Sequence, residues 1–330
     1  METRAAWFIL GILIGALLLL PIVLAQDDSE SWAQDERRLN VQQTADGFRY
    51  ESTRESDLGN DVVEGSFSTL NRRYSVSYLD RSSTNMTPLR LIVAFEGLLE
   101  YQDVDGDNAY SLGDRIIQRQ RLVDLPAPAQ RIDPLLNGGQ RATYTYSLAD
   151  LDPESKDATL EVIFSMFPRA QMIGGQLVPP TRPHTEVTVD HFPFQNESSR
   201  LALETRVYAN GPLEETPNAF YVSAEERRLV YEWPGQSTVD GDVRPVHVTL
   251  LGTGGQSTNP AATPAVVLLS YERGDALSYQ PVIGPEREEP KEQNAIVEFF
   301  THGDWRLYGI GVVAAFALIG ATMWRRIERA

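Results

Sequence analysis

The sequence predicts an all-β protein: a β-sandwich ectodomain followed by a C-terminal transmembrane helix. Three observations favour this fold class. Short segments of alternating apolar and polar residues recur along most of the chain and are rich in Val, Tyr, Thr and Phe. Turn-forming Gly, Asn and Asp residues separate these segments. Outside two apolar runs near the ends, no long stretch has the periodicity of an amphipathic helix.

Residues 5–25 form an uncharged apolar run that follows Arg4. Val23 and Ala25 place β-branched and small residues just before a polar segment, which is the arrangement of a secretory signal peptide cleaved after Ala25. The run is also long enough to cross a bilayer, so an uncleaved anchor is the alternative. Residues 26–40 are polar and charged, and we expect them to form a flexible lead-in.

The ectodomain is predicted to span residues 41–283. Its strand-like segments are residues 73–79, 89–95, 142–148, 159–167, 185–191, 200–208, 228–233, 246–251 and 265–271. A stretch rich in Gly and Pro, residues 168–183, fits a linker between two sandwiches in tandem or a loop within one extended sandwich. Because this stretch is also apolar, we favour one extended sandwich. Residues 284–303 begin with prolines and many charges, which predicts an extended stalk.

The second apolar run, residues 307–324, carries no charge, and it predicts a transmembrane helix over residues 304–324. Arg325 and Arg326 follow directly. Basic residues next to an apolar span mark its cytoplasmic side, so the tail of residues 325–330 is predicted to lie inside the cell. This topology describes a single-pass protein of the plasma membrane with the bulk of the chain outside the cell.

One segment has a spacing that points to a particular chemistry. Residues 103–114 read DVDGDNAYSLGD, with aspartate at loop positions 1, 3, 5 and 12 and serine at position 9. In calcium-binding loops, residues at this spacing supply the oxygen ligands that coordinate Ca²⁺. Four carboxylates this close together repel one another unless a cation is present, so the ion is expected to stabilise the loop. Tyr110 is expected to pin the loop to its domain.

The segment resembles the calcium loop of EF-hands and dockerins, and the DxDxDG loops of calcium-binding β-proteins, over residues 103–114 only. The resemblance implies a structural Ca²⁺ site, whose ligands would be side-chain oxygens of Asp103, Asp105, Asp107 and Asp114, the carbonyl of Ala109, and Ser111 directly or through water. The loop departs from the pattern at position 6, where Asn108 replaces glycine, and at position 12, where aspartate replaces glutamate. Asparagine tolerates the left-handed backbone that position 6 requires.

The segments on either side of the loop have the pattern of strands, so we expect a calcium loop at a β-turn rather than a pair of EF-hand helices. The alternative is an acidic hairpin that is only solvated. The sequence contains no motif of a serine-hydrolase elbow, a zinc-protease helix, a phosphate loop or a dinucleotide fingerprint. We therefore predict that the protein is not an enzyme.

The composition bounds the partners. A net charge of −17 argues against nucleic acid, because a phosphate backbone needs a basic face. The absence of cysteine excludes disulfides and thiolate sites. An exported chain without cysteine favours a prokaryotic source. Gly311 and Ala315 form a small-residue pair that could support an oligomer through the membrane helix.

Three functions remain after these exclusions. The leading interpretation is a cell-surface protein whose calcium-stabilised sandwich binds an extracellular protein or glycan, or has a structural role. A membrane-tethered enzyme acting on carbohydrate or polymer is the first alternative, and it rests on fold analogy alone. The second alternative is an accessory subunit of a membrane assembly. A cleft with two carboxylates would favour the enzyme, whereas an exposed patch would favour binding.

Overall fold

The computed structural model describes residues 37–56, 59–81, 87–149, 151, 155–224, 227–251 and 264–286. These residues form β1 Arg38–Thr44, β2 Gly47–Ser56, β3 Gly59–Ser68, β4 Arg73–Asp80, β5 Leu89–Gln102, β6 Arg115–Arg121, β7 Ala129–Pro134, β8 Gln140–Ser147, β9 Thr159–Met166, β10 Gln171–Ile173, β11 Gln176–Val178, β12 His184–Asp190, β13 Arg200–Ala209, β14 Leu213–Thr216, β15 Ala219–Ala224, β16 Arg227–Glu232, β17 Gln236–Val239, β18 Asp242–Pro245, β19 His247–Leu251, β20 Ala265–Tyr271, β21 Ala276–Tyr279 and β22 Val282–Pro285. Two short 3₁₀ turns, Leu122–Asp124 and Leu136–Gly138, are the only helical elements within the described ranges.

The strands form four antiparallel sheets. The largest has nine strands in the order β1-β2-β3-β4-β5-β13-β20-β19, with β6 also paired to β5. A seven-stranded sheet runs β18-β17-β21-β12-β9-β8-β7, a four-stranded sheet runs β14-β15-β16-β22, and β10 and β11 form a separate hairpin. The prediction of an all-β fold is therefore confirmed, and each predicted strand segment falls on a strand.

The two largest sheets pack against each other in a sandwich-like arrangement. The ring of Phe48 on β2 lies 5.1 Å from that of Phe164 on β9, and the ring of Phe67 on β3 lies 4.7 Å from that of Tyr144 on β8. The core also includes Tyr231 from the four-stranded sheet, so one continuous apolar cluster joins all three sheets. The aromatic side chains of this core each bury a large apolar area, which stabilises the fold.

The first and last strands of the fold include residues that we predicted to belong to the lead-in and to the stalk. β1 begins at Arg38, within the last residues of the lead-in, and β22 ends at Pro285, so the first residues of the stalk are part of a sheet. The Gly- and Pro-rich stretch of residues 168–183 contains the hairpin β10–β11. The predicted signal peptide and transmembrane helix lie outside the described residues.

Candidate metal centre

The acidic loop connects two neighbouring strands of the nine-stranded sheet. β5 ends at Gln102 and β6 begins at Arg115, and the two strands pair antiparallel. Their register shifts between Glu100 and Tyr101, which is a β-bulge just before the loop. Bulges of this kind redirect the chain at the end of a strand. The expectation of strands rather than helices on either side of the loop is confirmed.

Three of the four loop aspartates converge. Carboxylate oxygens of Asp103, Asp105 and Asp114 all lie within 4.8 Å of one another. Asp114 is buried, Asp103 is half-buried and Asp105 is exposed, so the group lies at the protein surface with one side toward solvent. Three negative charges at this separation repel one another, and a cation between them would reverse the sign of the interaction.

Backbone N–H groups hold two of these carboxylates in place. Asp103 accepts hydrogen bonds from the N–H groups of Gly106 at 2.7 Å and Asn108 at 2.9 Å. Asp114 accepts from the N–H groups of Val104 at 2.8 Å and Ser111 at 2.6 Å. Each carboxylate oxygen has more than one lone pair, so these bonds fix its direction and leave it able to coordinate an ion.

The sharp turn at the tip of the loop requires left-handed backbone at two residues. Gly106 has φ of +77° and Asn108 has φ of +68°. Glycine adopts this conformation without steric penalty, and asparagine is among the few other residues that adopt it readily. The expectation that Asn108 replaces the usual glycine at position 6 by adopting a left-handed conformation is confirmed.

Tyr110 attaches the loop to the sheet. Its side chain is 7% exposed and packs in a small cluster with Leu99, Tyr101, Ala202 and Leu268. Its N–H donates to the Ser270 hydroxyl at 3.0 Å, and its carbonyl accepts from the Thr249 hydroxyl at 2.5 Å. The expected anchoring role of Tyr110 is therefore seen both in side-chain packing and in backbone hydrogen bonds.

The remaining predicted ligands have other contacts. Asp107 is exposed and lies outside the group of three carboxylates, and its Oδ1 accepts the N–H of Ala109 at 2.8 Å. The hydroxyl of Ser111 accepts the N–H of Gly113 at 3.2 Å. The geometry thus assembles three of the predicted side-chain ligands and gives Asp107 and Ser111 turn-forming bonds.

Arg200 is a neighbour of the site that sequence reasoning missed. Its Nε lies 3.7 Å from Asp103 Oδ2, and its Nη2 donates to the side-chain oxygen of Asn108. The pairing of β13 with β5 brings it there, because Arg200 is opposite Tyr101. No local pattern in the sequence joins Arg200 to the loop, since the contact depends on which strands are neighbours.

The charges of the loop affect the pKa of Asp105. The N–H of Asp107 lowers this pKa by hydrogen bonding, but partial desolvation and the negative charges of Asp107 and Asp114 outweigh it, and the pKa lies above its ordinary value. Below the loop, burial raises the pKa of Tyr101 to about 12. Protonation of a carboxylate, or binding of a cation, would therefore relieve the electrostatic repulsion in the loop.

Only oxygen ligands are present in this group, which suits a hard divalent cation. In the described part of the chain, no other group of three His, Asp or Glu side chains converges in this way. No helix among the described residues is long and apolar enough to cross a membrane. Comparison with protein-family models gives no match, and comparison with curated proteins gives none either.

Proposed function

We propose that the chain is a single-pass surface protein of a prokaryotic cell whose all-β ectodomain is a β-sandwich stabilised by one Ca²⁺ and displayed for binding. The observation that carries the calcium part is the convergence of Asp103, Asp105 and Asp114 on a loop fixed to the sheet by Tyr110. The topology part is supported by the two apolar runs and the arginines that follow the second one.

Calcium fits the ligand set better than other biological cations. Zn²⁺ and copper favour imidazole and thiolate ligands, but the loop contains neither histidine nor cysteine. Mg²⁺ requires near-ideal octahedral geometry and retains several waters, whereas Ca²⁺ accepts six to eight oxygens at varied angles. The three carboxylates, with backbone carbonyls and waters, can complete such a flexible shell.

The proposed role of the ion is structural. A ligand that binds the folded chain and not the unfolded chain stabilises the fold by RT ln(1 + c/Kd), where c is the free ligand concentration. Extracellular modules bind Ca²⁺ with a Kd of about 10⁻⁴–10⁻³ M, so about 1 mM calcium would contribute roughly 0.4–1.4 kcal/mol. Tighter binding by the three converging carboxylates would increase this contribution.

Thermal melts of the full chain test the proposed role of calcium. We expect EDTA to lower the Tm of the wild type and to leave the Tm of Asp105→Ala unchanged. Asp157→Ala is the matched control, because Asp157 is also an exposed aspartate in a turn but lies outside the loop. This control should respond to EDTA like the wild type. Equal Tm values for the wild type with and without EDTA would contradict the proposal.

The topology has its own test. Protease added to intact cells is expected to remove the region of residues 26–303 and to spare the tail that carries Arg325 and Arg326. Mass spectrometry of the mature chain should find Gln26 at its N-terminus. Protection of the whole chain from protease would contradict the exported location, and an intact Met1 would replace the signal peptide with a second span.

A further inference from the structure

A polar cleft lies away from the acidic loop, and no residue of that loop lines it. Its volume is about 410 Å³, and its polar lining includes Gln176, Glu232, Gln236, Thr238, Ser278 and Gln280. This volume is within the range of roughly 300–1,000 Å³ that is common for small-molecule sites. Most sites of that size are lined mainly by apolar side chains, so the high share of amide and hydroxyl groups distinguishes this cleft.

The cleft includes hydroxyl side chains of adjacent strands. Thr238 on β17 is directly opposite Ser278 on β21, which is in turn opposite Thr188 on β12. The hydroxyl of Ser278 donates to Glu186 Oε1 at 2.7 Å, so its hydrogen is already used and its oxygen lone pairs are left to accept. This part of the cleft therefore offers a hydrogen-bond acceptor whose orientation is set before any ligand arrives.

Amide side chains and one carboxylate supply the other polar groups. Gln176 comes from the hairpin β10–β11, Gln236 begins β17, and Gln280 follows β21. Each amide can donate and accept at the same time. Glu232 Oε1 accepts from the amide of Asn218 at 3.3 Å, and its other oxygen has no protein partner among the described contacts.

Apolar surface completes the cleft. Val243 on β18 is 66% exposed and lies opposite Thr238, and Pro234 and Val282 also line the space. A ligand that fits this lining needs several hydroxyl groups and an apolar C–H face. A ligand carrying negative charge is disfavoured, because Glu232 is the only charged side chain among the described lining residues and is itself acidic.

We propose that this cleft binds a neutral carbohydrate unit through amide, hydroxyl and carboxylate contacts, with Val243 and Pro234 against the C–H face of the sugar ring. This inference rests on the proposed function in one respect: it names a carbohydrate as the partner that the displayed ectodomain binds. An extended peptide is the competing occupant, because β18, whose Val243 lines the cleft, is an edge strand with a free backbone edge. The sugar is favoured because the lining combines several amide and hydroxyl side chains with exposed apolar surface.

Sugar titration of the full chain tests the proposal. The protein is purified in a zwitterionic detergent without a sugar headgroup, and binding of glucose, galactose, mannose, N-acetylglucosamine and their β-1,4 disaccharides is measured by saturation-transfer NMR and calorimetry. The test variant is Gln236→Ala with Gln280→Ala, at two exposed positions. The control is Gln130→Ala, because Gln130 is also an exposed strand residue of the seven-stranded sheet but does not line the cleft.

We expect at least one neutral sugar to bind, the double variant to bind it about tenfold more weakly, and the control to bind like the wild type. All three proteins should have the same Tm, because the changes are at the surface. The proposal is overturned if no neutral sugar binds, if the double variant keeps the wild-type affinity, if glucuronate binds as tightly as glucose, or if the peptide Gly-Ser-Gly-Thr binds better than every sugar. A failed sugar titration leaves the calcium-dependent melting unaffected, so the two proposals fail separately.

Discussion

Two acidic sites lie within a few residues of each other, one on β5 and one in the loop that follows it. They differ in the groups that surround their carboxylates. Glu100 is fully buried, and both of its oxygens accept hydrogen bonds from neutral groups: the amide of Gln118, the N–H groups of Gln195 and Asn196, and the hydroxyl of Ser199. In the loop, Asp103, Asp105 and Asp114 direct their charges toward one another at the surface.

The difference shows how a structural carboxylate is distinguished from a candidate ligand. Donors from two segments, β6 and the loop of residues 193–199, occupy both oxygens of Glu100, so this side chain fixes that loop to the sheet. The loop carboxylates have fixed directions, but among the described residues the one positive side chain beside them is Arg200, next to Asp103. A saturated carboxylate stabilises the fold without help, whereas a converging group depends on a cation.

The largest effect is expected from Glu100→Ala. The change removes the acceptor of the buried Ser199 hydroxyl and of the N–H groups of Gln195 and Asn196, and we expect a loss of about 3–5 kcal/mol in the free energy of unfolding. Urea unfolding in calcium and in EDTA should give the same loss, because no ion is involved. A loss that appears only in calcium would remove the distinction between the two sites.

Tyr110→Ala is expected to be next in size. Removal of a buried aromatic ring leaves a cavity and destabilises the fold by about 3 kcal/mol, and calcium affinity should fall because the loop loses its side-chain anchor. Tyr110→Phe keeps the ring and is the control, with near-normal calcium binding in a calorimetric titration. Unchanged calcium affinity in Tyr110→Ala would show that the backbone bonds alone hold the loop.

Asp105→Ala and Asp107→Ala test whether the ligands are those of the structure or those of the EF-hand spacing. The EF-hand spacing predicts that both aspartates are ligands, but only Asp105 belongs to the converging group. At about 1 mM calcium we expect Asp105→Ala to lose about 1 kcal/mol of stability and Asp107→Ala to lose less. Denaturant unfolding with and without calcium measures both. Equal losses would mean that Asp107 moves into the site when the ion binds.

The smallest effect concerns pH in the absence of calcium. The pKa of Asp105 is raised in the folded chain, so the stability that this group contributes is present below that pKa and is lost as the pH rises through it. In EDTA at neutral pH, we expect Asp105→Asn to melt higher than the wild type, and the gap to close as the pH falls into the acidic range. A difference in Tm between Asp105→Asn and the wild type that does not change with pH would be due to packing rather than to charge.

Local pattern was sufficient for some of these features and insufficient for others. Alternation predicted strands such as β4 and β13, and aspartate spacing predicted the loop and its anchor Tyr110, because all of these signals lie within a few neighbouring residues. Short polar strands such as β14, β17 and β18 were missed, since their pairing partners rather than their own composition keep them extended.

Contacts between distant residues could not be read from the sequence. Arg200 reaches Asp103 only because β13 pairs with β5, and Glu100 finds Gln195 and Asn196 only because that loop folds back onto the sheet. The cleft between β11, β17 and β21 has the same origin. For Asp107 the aspartate spacing predicts a ligand, whereas in the structure its Oδ1 accepts the N–H of Ala109, and the Asp107→Ala measurement decides between the two roles.

The proposed calcium site requires that the converging aspartates of the loop bind one ion. Calorimetric titration of CaCl₂ into the full chain and into Asp105→Ala measures this binding. We expect one site in the wild type, with a Kd of about 10⁻³ M or lower, and no measurable binding in Asp105→Ala. Absence of binding to the wild type, or binding of equal affinity to the variant, would contradict it.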